Sequence, residues 1–182
     1  VFNRMDRISA EITKISLNCF LTTKISFANM IGDICRISGA DEDKVLKAIG
    51  SDSRIGQKYL KYGFGYGGPC FPRDNRTLYK YAEKIGYDAL ISKASDESND
   101  QHLRFQVEKF LENVDIGTPV TISSVTYKPG TVIIEESQQL KYAVELAKAS
   151  CQVTILEHPE VIKQVKEIYG TMFEYKEIKK GK

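Results

Sequence analysis

The chain has 182 residues, of which 42% are hydrophobic and 27% charged. This ordinary globular composition excludes a disordered or collagen-like protein. The 26 basic and 24 acidic side chains leave a net charge of +2, which gives no reason to expect nucleic acid or a membrane as a partner. No apolar run approaches the roughly 20 residues that span a bilayer, and the polar first residues do not build a signal peptide. We therefore expect a cytoplasmic protein with reduced cysteines.

Two helices are predicted at the start of the chain. Apolar residues recur at three- and four-residue steps over residues 7–38, which predicts one long helix. Gly39 is a natural end for it. Asp41 is placed to cap a second helix over residues 42–49, which Gly50 ends.

A glycine-rich loop and two further helices follow. Residues 51–72 have no regular period and contain five glycines and two prolines, and a loop of this length inside a compact domain tends to be functional. Asp74 is placed to cap a third helix that runs to Ile85. A fourth helix is predicted from about residue 93 to residue 113.

The remainder of the chain alternates between strand and helix patterns. The predicted elements are a strand at 120–125, a helix at 137–149, a strand at 151–156, a helix at 159–169 and a strand at 172–175. This β-α-β-α-β order is the repeat of a doubly wound parallel sheet. The expected fold is therefore α+β overall, with an all-α domain followed by a partial, Rossmann-like α/β domain.

We place the domain boundary near residue 115. Residues 1–115 are expected to form a helical dimerisation domain, and residues 116–182 the first half of the α/β domain. The apolar stripe of the first helix is too broad for so small a core. This helix is therefore expected to join two copies of the chain in a homodimer.

One glycine motif imitates a dinucleotide-binding fingerprint. Gly63, Gly65 and Gly68 have the spacing G-x-G-x-x-G, but the fingerprint must follow a strand and open a helix. Here it follows a polar loop and runs into Pro69. We expect these glycines to let a loop backbone approach a ligand closely, and the chain has no other such motif.

Cys70 is the strongest candidate for a catalytic residue. It lies between two prolines, behind four glycines and before a helix, where helix-end amides favour a thiolate. A small buried hydrophobic residue is the competing interpretation. Lys14 and Asn18 share one helix face and are placed to hold an oxyanion and a water, although a solvated helix face is the commoner place for any one lysine. Asp74 is either a plain helix cap or a catalytic group, and no metal site is expected.

The residues around Cys70 resemble the active-site signature of the UDP-glucose/GDP-mannose dehydrogenase family. Four further segments resemble other parts of that family in the same order. These segments are Lys14 with Asn18 and residues 24–29, the loop 52–56, residues 127–131, and Glu136 with Ser137.

The resemblance implies a role for each matching position. Cys70 would form a thiohemiacetal and then a thioester with the sugar C6, assisted by the other catalytic residues Lys14, Asn18 and Asp74. The substrate would be bound by Lys14, Asn18, Arg54 of a neighbouring subunit, Tyr59, Lys61, Gly65, Tyr66, Gly67, Tyr127 and Lys128. Cys70 and Arg73 would lie near the cofactor, NAD.

The implied reaction is NAD-dependent oxidation of a sugar C6 alcohol to a carboxylate, with UDP-glucose to UDP-glucuronate as the expected case, in polysaccharide biosynthesis. The N-terminal NAD-binding domain of the family is absent from the sequence, so a fragment that is inactive alone is expected. Glu135 and Ser124 stand where many members have Arg and Gly, and Arg73 replaces a frequent Lys.

Two other classes of function stay open. The chain can be a non-catalytic module that binds a nucleotide sugar and dimerises. It can also be a cysteine hydrolase, with His102 or His158 as the base for Cys70.

Overall fold

The computed structural model describes residues 3–178. Six helices and three strands occur in this range. In chain order they are α1 (Arg7–Ser38), α2 (Glu42–Ser51), α3 (Phe71–Lys84), α4 (Leu90–Leu111), β1 (Pro119–Ser123), α5 (Gln138–Lys148), β2 (Gln152–Glu157), α6 (Pro159–Tyr169) and β3 (Glu174–Glu177). The predicted α+β fold class is confirmed. None of the helices within residues 3–178 has the length and apolar character that a membrane crossing requires.

The chain divides into two compact units, the first ending at His102 and the second beginning at Leu103. The division falls inside α4. The boundary near residue 115 stays a prediction about domains.

In the first unit, α1 packs against α2 and α3. Its ends are set locally: the Asp6 side chain accepts a hydrogen bond from the Ser9 amide, and Gly39 closes the helix in the left-handed region at φ 77°. Both bounds of this helix were predicted correctly.

The buried face of α1 consists of small residues, several of which are polar. Its buried residues are Cys19, Thr22, Ser26, Ala28, Asn29, Gly32 and Cys35. Ser26 Oγ donates to the Ser95 carbonyl of α4 at 2.9 Å, and Asn75 Nδ2 of α3 donates to the Ser92 carbonyl at 2.6 Å. Hydrogen bonds thus join the helices of this unit, since buried polar groups require partners.

Two predicted helix signals were wrong. Asp74 does not cap α3: Cys70 occupies the N-cap position and Pro72 lies in the first turn, where a proline loses no helical hydrogen bond. Gly50 lies inside α2 rather than ending it. A Cβ at Gly50 would lie 2.7 Å from Gln57 Cδ, so this glycine permits a close approach.

The second unit is built on a parallel sheet with strand order β1-β2-β3. The core of this unit is apolar and includes Val125, Leu146, Ile155, Val161 and Val165. Ser124, which follows β1, has a positive φ of 61°. A glycine would adopt this conformation without strain.

Candidate functional site

Two helices of the first unit carry the predicted catalytic side chains. α1 presents Lys14 and Asn18 one turn apart, α3 presents Asp74 in its first turn, and Cys70 forms the N-cap of α3. Asp74 donates its backbone N–H to the Cys70 carbonyl at 2.8 Å. Helix geometry therefore places Cys70 and Asp74 one turn apart on the chain.

Asp74 is the centre of this cluster. Lys14 Nζ and Asn18 Nδ2 both donate to Asp74 Oδ2, at 2.6 and 2.7 Å. Arg73 lies 3.4 Å from Oδ1. The carboxylate is only 4% exposed, so α1 and α3 are joined here by a charged hydrogen-bond network rather than by apolar packing.

The network keeps Asp74 ionised. Burial alone would raise the pKa of the Asp74 carboxyl. The hydrogen bonds from Lys14 and Asn18 and the charge of Lys14 lower this pKa by more than burial raises it, so the pKa lies below its ordinary value. A carboxylate with a low pKa is a poor proton acceptor at neutral pH but a good hydrogen-bond acceptor. Asp74 is thus suited to hold donors in place.

Of the four cysteines, Cys70 alone is exposed. Its Sγ lies 4.0 Å from Arg73 Nη2. Cys19 offers a contrast directly beneath the site: it is buried, its Sγ lies 3.6 Å from the Asp74 carbonyl oxygen, and burial raises the pKa of its thiol. Cys70 combines access to solvent with a neighbouring cation, as a nucleophilic thiol requires.

The loop before α3, residues 52–70, is here called the glycine loop. Its backbone is fixed at Tyr66 by Asn99 of α4: the Tyr66 amide donates to Asn99 Oδ1 at 2.9 Å, and Asn99 Nδ2 donates to the Tyr66 carbonyl at 3.0 Å. A Cβ at Gly65 would collide with the Asn99 side chain. Gly65 therefore permits this backbone to approach α4.

Tyr66 itself is buried, and its hydroxyl donates to Asp96 Oδ1 at 3.0 Å. Burial and the nearby Asp96 charge raise the pKa of the Tyr66 phenol. The side chain therefore anchors the loop, and the neighbouring backbone is the part that can face a ligand.

The remaining predicted binding residues are distributed over both units. Arg54 pairs with Asp52 of its own loop, with Nη2 2.6 Å from Oδ2. Tyr59 is exposed at φ 62°, with its ring edge toward Phe71. Lys61 is exposed and Gly67 half-buried, both in the glycine loop, whereas Tyr127 and Lys128 belong to the second unit.

Sequence reasoning missed the support of the glycine loop. Asp33 of α1 and Asp96, Asn99 and His102 of α4 hold the loop through hydrogen bonds. Because these residues belong to periodic helices, nothing in their local pattern separates them from a solvated helix face. Both His102 nitrogens contact groups of this support. His102 is therefore not placed to act as the base for Cys70 that the hydrolase hypothesis expects.

The G-x-G-x-x-G motif does not form a Rossmann turn. Gly63, Gly65 and Gly68 lie in the glycine loop, which follows α2 rather than a strand. In residues 3–178, no such motif joins a strand to a helix. The rejection of this motif as a dinucleotide fingerprint is confirmed.

Comparison with known proteins gives a consistent set of relatives. Residues 8–101 match the central domain of the UDP-glucose/GDP-mannose dehydrogenase family. The UDP-glucose 6-dehydrogenase TuaD of Bacillus subtilis is 36% identical over 92% of this chain and 36% of its own length. The UDP-glucose 6-dehydrogenase of Pseudomonas aeruginosa is 38% identical over 75% of this chain and 31% of its own length.

A solved structure resembles the fold closely. The UDP-glucose dehydrogenase of Pyrobaculum islandicum superposes with a TM-score of 0.85 and 32% identity, over 96% of this chain and 40% of that one. The chain thus spans roughly 31–40% of the length of these relatives. The match over more than half of the residues shows that the chain belongs to the UDP-glucose/GDP-mannose dehydrogenase family.

Proposed function

We propose that this chain carries the thiol site of an enzyme that oxidises the C6 alcohol of a nucleotide sugar to a carboxylate. The observation that carries the proposal is the network of Lys14, Asn18 and Asp74, which begins one helical turn from the exposed Cys70. Family membership and relatives named UDP-glucose 6-dehydrogenase favour UDP-glucose as the substrate and UDP-glucuronate as the product.

Cys70 supplies the covalent step. Its thiolate adds to the C6 carbon of the sugar aldehyde, and the C–S bond forms as the carbonyl electrons move to oxygen. Loss of a hydride from C6 converts this thiohemiacetal to a thioester. Water then adds to the thioester carbon, and the thiolate leaves as the carboxylate forms.

Lys14 and Asn18 stabilise the negative charge on the C6 oxygen. An ammonium has three N–H donors and a primary amide has two, and one of each is directed to Asp74. Asp74 holds both side chains in position before the substrate arrives, so that little reorganisation is needed in the transition state. Its low pKa fits a role in orienting the hydrolytic water rather than in removing its proton.

The glycine loop provides the nucleotide-sugar cradle in this proposal. Gly65 and Gly67 lie in the same loop as the exposed Tyr59 and Lys61. The Cβ side of Gly65 faces Asn99, so Gly67 is the glycine proposed to let the backbone approach a diphosphate closely. Tyr127 and Lys128, which belong to the second unit, are further residues that the family resemblance proposes for the nucleotide sugar.

NAD is the cofactor that the family implies. Among the described residues, the place that suits NAD is the exposed Cys70, whose thiol lies beside the Arg73 guanidinium. NAD would supply acceptance of the two hydrides that leave C6. Cys70 and Arg73 are the residues of this chain proposed to face it.

A homodimer through α1 is proposed as the assembly. Large apolar side chains are exposed along this helix, mostly at three- and four-residue steps with one step of seven: Leu17, Phe20, Phe27, Met30, Ile34 and Ile37. An exposed stripe of this kind is typical of a helix that pairs with a second helix. Arg54 would then reach the site of the neighbouring subunit.

The substrate class is tested by protection of Cys70 from iodoacetamide, read by peptide mass spectrometry. UDP-glucose should slow labelling of Cys70, and glucose 1-phosphate at the same concentration should not, because it lacks the nucleotide. Equal labelling with and without UDP-glucose, up to millimolar concentrations, would contradict the proposed site.

A further inference from the structure

The His102 ring makes two short contacts with hydrogen-bond acceptors. Its Nδ1 lies 2.8 Å from Asp33 Oδ2, and its Nε2 lies 2.6 Å from the Gly63 carbonyl oxygen. A backbone carbonyl cannot donate, and an ionised carboxylate cannot either. A neutral imidazole has a single N–H, so it would leave one of these contacts between two lone pairs. With an ionised Asp33, both contacts are satisfied only when each ring nitrogen carries a proton.

This ring is enclosed by the protein. His102 is 2% exposed, and its plane meets the edge of the Tyr62 ring at a centroid distance of 5.3 Å. Burial of a cation is costly unless it is paired. Asp33, with a side chain 14% exposed, supplies the pairing charge.

The charged and titratable groups near the His102–Asp33 pair come from α1, α2 and the glycine loop. From α1, Asp33 faces the ring and Arg36 stacks 4.5 Å from the Tyr62 centroid. From α2, Glu42 pairs with Arg36 at 2.8 Å. From the glycine loop, the Tyr62 hydroxyl donates to Asp33 Oδ1 at 2.9 Å. Burial and Asp33 raise the pKa of that phenol, so it remains a donor.

The same ring holds the backbone that leads to Cys70. Gly63 is clamped from both sides, because its carbonyl accepts from His102 and its amide donates to Asn29 Oδ1 of α1 at 3.0 Å. One helical turn before His102, Asn99 pairs with both backbone groups of Tyr66. α4 therefore holds the glycine loop by hydrogen bonds at two residues, Gly63 and Tyr66, and Cys70 lies four residues after Tyr66.

We propose that His102 is a positioning residue for the glycine loop, and that it holds the loop only while both of its ring nitrogens are protonated. Loss of one proton as the pH rises removes the donor to Gly63 or the donor to Asp33. The loop then keeps the Asn99 contact but loses the clamp on Gly63. The consequence for substrate binding rests on the proposed function, whereas the ring chemistry and the loop protection do not.

The first test observes the ring directly. Nitrogen-15 NMR of the histidine side chains, recorded on the wild-type chain from pH 5 to pH 9, reports whether each nitrogen carries a proton. The chain has two histidines, so His158→Gln assigns the signals by elimination. We expect protons on both His102 nitrogens in the acidic part of this range. A ring with one bare nitrogen throughout the range would overturn the proposal.

The second test measures protection of the loop by hydrogen exchange, with amides of β2 as internal reference for the intrinsic effect of pH. Protection of the amides of residues 60–66 should fall at least about tenfold as the ring deprotonates, because a hydrogen bond from a charged donor is lost. In His102→Gln, the amides of residues 60–66 should lack this additional protection at every pH. His158→Gln, altered at an exposed position of the second unit, should behave as the wild type.

Protection that is unchanged across the ring titration in the wild type would overturn the proposal, even where His102→Gln does not fold. The link to function is read by calorimetry with UDP. Affinity should fall at least about tenfold across the same titration in the wild type and in His158→Gln, and it should be low and independent of pH in His102→Gln. If the wild type binds no UDP at any pH, the proposed function fails while the ring and exchange data still decide the role of His102.

Discussion

Asp74 links the two sides of the candidate site through one carboxylate. Two donors from α1 converge on the same oxygen, Asp74 Oδ2, and a third group, Arg73, is adjacent in sequence and lies near Oδ1. Three donors around one buried acceptor fix its rotamer and its charge. The same carboxylate therefore contributes to stability and to the position of Lys14.

Asp74→Asn should lower the free energy of unfolding by about 1–2 kcal/mol at pH 7, because Lys14 and Asn18 lose a charged acceptor. Since the folded-state pKa of Asp74 is lowered from 3.8, the contribution is complete above that value and is lost as the pH falls through the lower, folded-state pKa. The difference between wild type and variant should therefore shrink between about pH 5 and pH 2. Urea denaturation at a series of pH values measures it.

Asp43→Asn, at an exposed position of α2, is the matched control and should leave stability within about 0.5 kcal/mol of wild type. A difference between Asp74→Asn and wild type that stays constant down to pH 2 would contradict the assigned network.

The four cysteines should react with iodoacetamide at very different rates. Cys70 is exposed, whereas Cys19, Cys35 and Cys151 are buried, and a buried thiol reacts only when the fold opens. Peptide mass spectrometry of the native chain at pH 8 should find Cys70 labelled at least about tenfold faster than the others. Comparable rates at Cys70 and Cys151 would mean that the loop does not expose the thiol.

At the scale of elements, the glycine loop depends on close packing against α4. The Tyr66 backbone is paired with Asn99, and Gly65 allows the approach. Gly63, two residues earlier, has open space where a Cβ would lie. The two glycines thus have different requirements within one loop.

Gly65→Ala should destabilise the chain by about 1–3 kcal/mol, as overpacking does elsewhere, because the new methyl group would collide with Asn99. Gly63→Ala should be neutral or stabilising by up to about 1 kcal/mol, because alanine restricts the unfolded chain. Thermal and urea denaturation of the two variants provide the comparison. Equal destabilisation by both substitutions would contradict the packing described for Gly65.

The elements themselves were largely predictable because each has local signals. α1 has apolar residues at helical spacing and a terminal glycine, and β1 and β2 each contain a run of β-branched residues. The buried side of α1 was not predictable, because Thr22, Ser26 and Asn29 are polar and bond to α3, to α4 and to the glycine loop, all distant in sequence. Apolar periodicity predicts which face of a helix can be buried. In α1, part of this apolar face is exposed in the single chain.

The candidate site shows the same division between local and distant information. Lys14, Asn18, Cys70 and Asp74 could be selected from spacing and family resemblance, and the structure places Lys14 and Asn18 on Asp74. Asp33 and His102 are 69 positions apart. Their pairing depends on the packing of α1 against α4, which no short motif encodes.

At the scale of the whole molecule, the exposed apolar stripe of α1 is the basis for the proposed dimer. Phe27→Asp should weaken self-association at least about tenfold, since a charge would be buried in an apolar interface. Ile116→Asp, at an 88% exposed apolar position of the second unit, should leave the association unchanged. Sedimentation velocity over a concentration series measures both, and a wild-type chain that is monomeric at micromolar concentration would contradict the dimer.

The central claim, that Cys70 captures the C6 carbon, is tested most directly with the 6-aldehyde of UDP-glucose labelled with carbon-13 at C6. Addition of the thiol to the aldehyde needs no oxidant, so the step can be observed by NMR on this chain alone. Cys70→Ala and Lys14→Ala are the variants, and the affinity of each for UDP serves as the control for an intact cradle.

The wild type should give a new C6 signal of a thiohemiacetal, and Lys14→Ala should give a weaker signal at similar UDP affinity. Cys70→Ala should give none while it still binds UDP. The same C6 adduct on Cys70→Ala, or no adduct on a wild-type chain that binds UDP, would contradict Cys70 as the nucleophile.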